Sequence, residues 1–327
     1  MMTGDDIIYP THLLDNDKNI KTAVISLTLR FNDVLDAGRL HSALCQLLDT
    51  GDWRCLAGRL RSNKKAASLE IHVPSRFTPK RPAVRYTHDI YDVPIADHPL
   101  ARDFPSLSGD APSLELSGEH FRAFAAPPDA PSTLEDFLRR DIPMLSLHIT
   151  SFEDATLVGI CWPHVIMDAM GIAELLRGWT LALGGRSEEI PVVLDAHRDV
   201  LYDAADPSIP VDEPWALQDH CLAGLALVLF FVRSLWTVLW EPTVESRGMF
   251  LTKRAVDALR ARAQADIAQD AGAWVSEGDV LFAWACKLVS QAQSSPRALN
   301  ALNARTRARG CPRRPAPTAS SSTTWPS

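Results

Sequence analysis

One apolar segment constrains the fold more than any other part of the chain. It begins with the run ATLVGICW over residues 155–162, which Pro163 interrupts. Because proline cannot continue a central strand, this run predicts a strand that ends there. Residues 169–183 form a second apolar run, which stops at Gly184 and Gly185, as helices commonly do. The segment therefore predicts a buried strand that leads almost directly into a buried helix.

Two chemically capable side chains lie between this strand and this helix. His164 follows the strand, and Asp168 stands four residues later, where the helix should begin. A strand end beside a helix start can hold a side chain rigidly while it faces a cleft, which makes His164 a candidate catalytic base. Asp168 can either cap the helix or hold the loop through an ion pair. The local residues alone leave a packed, purely structural histidine as the alternative.

The same spacing of histidine and aspartate occurs a second time, at His88 and Asp92. That stretch, RYTHDIYDVP, is polar, charged and flanked by proline, which is typical of a surface or strand-end position. The spacing therefore decides nothing by itself, and the apolar surroundings favour His164 over His88.

Upstream, the pattern predicts further strands and helices. Alternating polar and apolar residues indicate strands at 20–31 and 66–73, and residues 145–150 should form a hairpin with the apolar run. Apolar residues at helical spacing predict a helix from Asp36 to Leu48, with Asp36 as its N-cap.

Frequent prolines between residues 74 and 143 indicate short strands and long loops, with one weak helix near 133–140. Two helices are expected downstream, at 253–270 and 278–292, and a strand should begin near residue 295. The arginine-, proline- and serine-rich end cannot bury enough apolar surface to fold, so it should be disordered.

Composition limits the functional classes. The chain has 327 residues and a formal net charge of -7, so a global basic face for nucleic acid is not expected. The six cysteines form no C-x-x-C pair, which argues against a zinc site and a disulfide framework. Free thiols fit a reducing compartment, and the acidic N-terminus lacks the features of a signal peptide, so a cytoplasmic location is expected.

Residues 222–240, LAGLALVLFFVRSLWTVLW, are apolar except for Arg233 near their middle. Their length would suit a membrane span, but the central arginine offsets much of the gain that the apolar residues bring. The sequence leaves two interpretations open. The segment is either a helix buried in or packed on the protein, or a site of weak and mostly interfacial membrane association.

The order of four segments resembles the BAHD acyltransferases, especially their fungal, trichothecene acetyltransferase-like branch. Residues 157–183 are similar to the family's HxxxD segment and the helix after it. Residues 39–61 resemble its early helix and L-A-G-R-L strand. Residues 275–289 resemble the helix that opens its second domain, and residues 301–309 resemble the strand that follows that helix. The resemblance covers most of residues 20–309.

The resemblance implies a chloramphenicol acetyltransferase-like α/β sandwich of two domains and transfer of an acyl group from acyl-CoA to a hydroxyl or amine. In that scheme His164 is the general base and Asp168 is structural, pairing with a distant arginine. Acyl-CoA is a co-substrate, so no bound cofactor or metal is expected. The partners implied are this thioester and a small-molecule acceptor of secondary metabolism, and the protein should be a monomer.

One departure from the family concerns its second motif, D-F-G-W-G, which this sequence lacks. We therefore expect an N-terminal acyltransferase domain at 1–186, a crossover linker at 187–214, a partial C-terminal domain at 215–309 and a disordered tail at 310–327. Such a truncated chain should show little or no turnover alone. The alternative is a catalytically inactive, acyltransferase-like binding protein.

Other enzyme classes fit the sequence less well. A metal hydrolase needs clustered ligands such as H-E-x-x-H, and a serine esterase needs G-x-S-x-G, and both strings are absent from the sequence. A peptide-synthesis condensation domain has a second histidine before its HxxxD segment, where this chain has Pro163.

Overall fold

A computed structural model of the chain describes residues 6–64, 68–105, 111–204, 221–240, 243, 245–267 and 273–292. By their contacts the residues fall into two compact units. One unit comprises Met1–Pro105 and Leu116–Gly248, and the other comprises Ser106–Glu115 and Met249–Ser327. The domain boundaries expected from the sequence stay predictions, since residues 205–214 and 310–327 lie outside the described residues.

Strands and helices alternate irregularly along the described residues. The strands are β1 (Ile7–Pro10), β2 (Val24–Phe31), β3 (Arg59–Asn63), β4 (Ser68–Val73), β5 (Arg85–Ile90), β6 (Ser113–Leu116), β7 (Ser146–Ser151), β8 (Thr156–Pro163) and β9 (Arg247–Phe250). The helices are α1 (Lys18–Lys21), α2 (Ala37–Leu47), α3 (Arg122–Ala125), α4 (Leu134–Arg139), α5 (Ala169–Leu183), α6 (Val200–Ala204), α7 (Gly224–Trp240), α8 (Lys253–Asp266) and α9 (Glu277–Ala292).

The largest sheet has four strands in the order β2-β8-β7-β5. Strand β8 runs antiparallel to both of its neighbours, whereas β5 and β7 are parallel. Every residue of β8 is buried, which its continuous apolar sequence requires of a central strand. Strand β5 lies at one edge of this sheet, and its first residue, Arg85, is in register with Ser146 of β7.

Helices α2 and α5 cover one face of this sheet. Apolar side chains of β7 and β8 meet Leu44 and Leu47 of α2 and Leu175 of α5 in one core cluster. The indole Nε1 of Trp179 in α5 donates to the backbone oxygen of Leu40 in α2 at 2.9 Å. This packing forms the helical layer of an α/β structure, in which α5 begins a short turn after the end of β8.

The short helix α3 packs against the opposite face of β8 at Gly159. A Cβ atom added there would lie 2.3 Å from the backbone oxygen of Phe124 and 2.5 Å from that of Ala125. Glycine is therefore required by the close approach of two backbones rather than by its dihedral angles. Phe124 belongs to a smaller cluster with Phe152 and Leu157, which covers this side of the hairpin.

A second sheet of the same unit has the order β1-β4-β3, all antiparallel. Its apolar side chains, among them Leu60, Ile71 and Val73, pack against Phe137 of helix α4. Helix α4 begins with a capping box, in which Thr133 and Asp136 bond to each other's backbone nitrogen.

The second unit contains the helix pair α8 and α9, which contact each other. The side chain of Thr252 caps α8, and Ser276 with Asp279 forms reciprocal hydrogen bonds at the start of α9. Val280 is the buried apolar residue of this pair.

Helix α7 differs from the other helices in its exposure. None of its residues is buried, and Leu225, Phe231 and Trp240 are 73%, 61% and 72% exposed. The prediction of a helix at 222–240 is confirmed by α7, and within the described residues none of the three apolar clusters includes this helix. Among the helices that the structure describes, none combines the length and apolarity needed to cross a bilayer.

Most predicted elements upstream of α7 are confirmed. The expected hairpin forms from β7 and β8, and α5 ends at Gly184 and Gly185 as predicted. Asp36 caps α2 by accepting from the backbone nitrogen of Arg39. The strand predicted at 20–31 begins later, at Val24, because its first residues form helix α1. The strand expected near residue 295 lies outside the described residues.

Candidate active site

Strand β8 delivers His164 to the end of the main sheet. Pro163 is the last paired residue of the strand and lies opposite Val24 of β2. The missing N–H of proline ends the ladder, and the chain then turns through a 3-10 turn, His164–Ile166. The sequence-based placement of His164 at a strand end before a helix is therefore confirmed.

Two backbone hydrogen bonds and one from an indole side chain fix this turn. The backbone nitrogen of His164 donates to the oxygen of Ala23 at 2.8 Å, and the nitrogen of Met167 donates to the oxygen of His164 at 3.2 Å. The indole Nε1 of Trp162 donates to the backbone oxygen of Met167 at 2.8 Å. The main chain around His164 is thus held by neighbouring strands rather than left as a free loop.

The side chains of the turn divide between two apolar clusters. Val165 is 2% exposed and packs with the second sheet, whereas Met167 packs beneath α5 in the main core. His164 is half-buried, so it does not belong to a closed core. Its Nδ1 atom is buried and has no hydrogen-bond partner among the described residues.

Asp168 is the N-cap of helix α5. Its Oδ1 accepts from the backbone nitrogens of Met170 at 3.0 Å and Gly171 at 2.8 Å. This satisfies two of the amide groups that a helix start leaves without partners. Of the two roles considered from the sequence, the structure shows the cap, and no ion pair among the described residues joins Asp168 to an arginine.

The N-terminal part of the chain packs against this site, which no motif indicated. Both the 3-10 turn Leu14–Asn16 and helix α1 contact the turn that begins at His164. Burial raises the pKa of Asp15, His12 opposes this shift, and the charge of Asp168 adds to it. The carboxylate of Asp15 therefore lies near Asp168 at the start of α5, and only the fold brings these residues together.

The second histidine–aspartate pair lies elsewhere. His88 is exposed on the edge strand β5 and shares a 2.9 Å hydrogen bond with Ser151. This is a surface position, as its polar sequence predicts. Among the described residues, no three His, Cys, Asp or Glu side chains cluster in a way that could hold a metal ion.

Comparisons with known proteins find one matching family model and several similar fungal sequences. Residues 131–221 match the family described as Transferase family. Acetyltransferase BOT5 of Botryotinia fuckeliana is 37% identical over 88% of this chain and 53% of its own length. O-acetyltransferase PaAT-2 of Phomopsis amygdali is 34% identical over 92% of this chain and 65% of its own length.

A solved structure shows the same fold. The crystal structure of F. sporotrichioides TRI101, complexed with coenzyme A and T-2, aligns with 87% of this chain and 59% of its own, with a TM-score of 0.53 and 14% identity. The chain thus has the chloramphenicol acetyltransferase-like α/β fold. It spans somewhat more than half the length of the curated relatives that it matches. The segment that contains the strand end, the turn and the helix around His164 thus matches the Transferase family, and most of the chain is similar to fungal acetyltransferases.

Proposed function

We propose that the chain transfers an acyl group from acyl-CoA to a hydroxyl or amine of a small-molecule acceptor, with His164 as the general base. The observation that carries the proposal is the placement of His164. Its main chain is fixed between a buried strand and a capped helix, while its side chain stays partly exposed within the segment that matches the Transferase family. A base needs this combination of a rigid support and an open face.

The chemistry that this geometry supports needs no covalent enzyme intermediate. Since Nδ1 is buried, Nε2 is the nitrogen that would face the acceptor. The acceptor oxygen or nitrogen attacks the thioester carbonyl while Nε2 takes its proton. The tetrahedral intermediate then expels the thiolate of coenzyme A, and the imidazolium gives the acceptor's proton to this thiolate. General-base assistance of this kind typically contributes about 10²–10⁴ in rate.

Asp168 acts in this proposal as a positioning residue. Its carboxylate holds the first turn of α5 and therefore the residues that lead back to His164. Because the Nδ1 atom of His164 has no partner among the described residues, Asp168 does not orient the imidazole directly.

The co-substrate and the acceptor class rest on the comparisons. Two of the relatives are named as acetyltransferases, and the TRI101 structure holds coenzyme A and T-2. For this chain we propose acyl-CoA as co-substrate, a small molecule of secondary metabolism as acceptor, and no bound metal or prosthetic group. The described free cysteines agree with the cytoplasmic location that we propose alongside this activity.

The experiment that tests this function measures thiol release from acetyl-CoA with a panel of alcohols and amines. Protein is used in excess and followed for hours, because we expect little turnover from this chain alone. Acceptor-dependent release with formation of the acetylated product supports the proposal. Intact coenzyme A binding without any acceptor-dependent release favours the inactive binding protein instead.

We further propose that residues 222–240 give the monomeric protein a weak membrane association. Helix α7 exposes apolar side chains on all sides, which is unusual for a helix in water. Its 17 residues extend over about 26 Å, short of the ~30 Å hydrocarbon core, so an interfacial position suits it better than a span. The stacked indoles of Trp236 and Trp240, with centroids 5.0 Å apart, have the amphipathic character that membrane interfaces favour.

Co-sedimentation with phosphatidylcholine vesicles tests this association. Wild-type protein should sediment with the vesicles, and a variant with Phe231→Ser and Trp236→Ser should remain in the supernatant with an unchanged melting temperature. Equal sedimentation of both proteins would contradict the proposal. Light scattering after size-exclusion chromatography in detergent should give the mass of one chain.

A further inference from the structure

A cavity of about 420 Å³ opens beside the first residues of the edge strand β5, within the first unit. Much of its wall is apolar and comes from Pro82, Val84, Ile142 and Pro143, of which Val84 and Pro143 are buried. A concave apolar wall that carries a few polar groups is typical of small-molecule sites, whose volumes are about 300–1,000 Å³. None of the lining residues belongs to the turn or the helix around His164.

An aromatic pair forms another part of the wall. Its members are His41 of α2 and Tyr86 of β5, whose rings stack with centroids 4.2 Å apart and an interplanar angle of 11°. Burial lowers the pKa of His41, which favours its neutral form. The Nε2 atom of His41 also lies 3.3 Å from the Sγ atom of Cys45, which holds the ring from a second side. The pair is therefore a fixed, uncharged surface on which a flat ring can stack.

Two cations at the cavity lack a strong partner. Lys80 lies in the tight turn 78–81, and its exposed side chain makes no hydrogen bond or ion pair within the described residues. Arg140 follows helix α4, and its exposed side chain makes one long bond of 3.4 Å, to the backbone oxygen of Asp129, among those residues. Both groups are therefore available to an anionic ligand.

The carboxylate that lines the cavity does not neutralise these two cations. It belongs to Asp141, which pairs with Arg61 and Arg81. Arg85, a third lining cation, pairs with Asp129. The lining therefore keeps an excess of positive charge, in a chain whose net charge is -7.

A buried guanidinium lies behind this wall. Arg59 is 0% exposed and donates to the backbone oxygens of Ala57 and Pro82, each at 2.8 Å. Its Nε atom has no partner among the described residues. Burial lowers the pKa of Arg59 to about 10, so the group is charged at neutral pH. Because a charge in a poorly solvated position is screened less than a surface charge, it adds to the attraction for an anion.

We propose that this cavity binds a small aromatic carboxylate, whose carboxylate group pairs with Lys80 and Arg140 and whose ring stacks on the pair of His41 and Tyr86. The apolar wall favours an anion with a flat hydrophobic body over an inorganic ion, because only such a body removes the wall from water. Charge-assisted hydrogen bonds favour the same anion over a neutral aromatic compound of equal shape. This binding requires no acyl transfer at His164.

Isothermal titration calorimetry tests the site with four probes: naphthoate, its neutral analogue naphthalenemethanol, acetate and coenzyme A. Naphthoate should bind to the wild type. Naphthalenemethanol and acetate should each bind at least about tenfold more weakly, because the first lacks the charge and the second lacks the ring. Coenzyme A should leave the affinity for naphthoate unchanged.

Two variants test the cations directly. Lys80→Ala and Arg140→Ala should each weaken naphthoate binding about tenfold and keep the wild-type melting temperature, because both side chains are exposed. Arg139→Ala is the matched control, because Arg139 is adjacent in sequence but pairs with Glu135 and does not line the cavity. Its affinity for naphthoate should equal that of the wild type.

Each contrary outcome overturns a stated part of the site. A wild-type protein that does not bind naphthoate, or Lys80 and Arg140 variants that bind it as tightly as the wild type, would overturn the site itself. Acetate that binds as tightly as naphthoate would indicate an adventitious ion only, and equal binding of naphthalenemethanol would overturn the role of the cations. Displacement of naphthoate by coenzyme A would place the ligand in the co-substrate site and overturn its assignment to this cavity. Selective binding that the two variants weaken supports the site whether or not acetyl transfer is observed.

Discussion

The cap that Asp168 provides allows a quantitative prediction. The Asp168→Ala variant loses two hydrogen bonds, of 3.0 Å and 2.8 Å, from the first turn of α5. Loss of an N-cap costs typically ~1 kcal/mol and up to about 2 kcal/mol in the free energy of unfolding. For a unit of this size, each kcal/mol lost lowers the melting temperature by about 2–4 °C.

The Asp168→Asn variant is the matched control for this prediction. Asparagine caps helices about as well as aspartate, so its free energy of unfolding should stay close to that of the wild type. Urea unfolding followed by circular dichroism measures both variants. If Asp168→Asn were as unstable as Asp168→Ala, the charge of the carboxylate would matter more than the cap. If Asp168→Ala were as stable as the wild type, the cap reasoning would be refuted.

Three further predictions concern stability. Gly159→Ala should destabilise the protein by about 1–3 kcal/mol in urea, because the added methyl meets the backbone of α3, whereas Gly118→Ala, with open space around it, should change little. Burial lowers the pKa of His148 below 6.5, so the folded protein favours the neutral ring. The free energy of unfolding should therefore fall as the pH drops below 6.5, and His148→Gln should flatten that decline between pH 7 and 5. Burial raises the pKa of Tyr9 from 10.0 to about 12. The contribution of its neutral hydroxyl to the free energy of unfolding is therefore present below pH 10 and lost towards pH 12, and Tyr9→Phe should reduce this alkaline loss.

Local signals explain why much of the fold could be predicted from the sequence. The apolar run of β8, its terminal Pro163 and the glycines after α5 each determine structure through nearby residues alone. The same holds for Asp36, whose side chain caps the helix that it precedes. The position of His164 followed from these signals because a strand end and a helix start together define it.

Features that depend on long-range contacts could not be predicted. Asp15 lies close to the start of α5 only because the N-terminal turn folds back over it, and no spacing in the sequence encodes that approach. Arg59 sits in an alternating stretch that gives no sign of a fully buried guanidinium. The exposure of α7 could not be predicted either, because its apolar composition indicates a helix but does not show whether other parts of the protein cover it.

The central claim is that the imidazole of His164 removes the acceptor's proton. The most direct test measures single-turnover acetyl transfer from acetyl-CoA to an accepted alcohol by the wild type, by His164→Ala and by His88→Ala, whose histidine has the same spacing to an aspartate. The proposal predicts a loss of about 10²–10⁴ in rate for His164→Ala and a wild-type rate for His88→Ala. A His164→Ala variant that folds normally and transfers acetyl at the wild-type rate would contradict it.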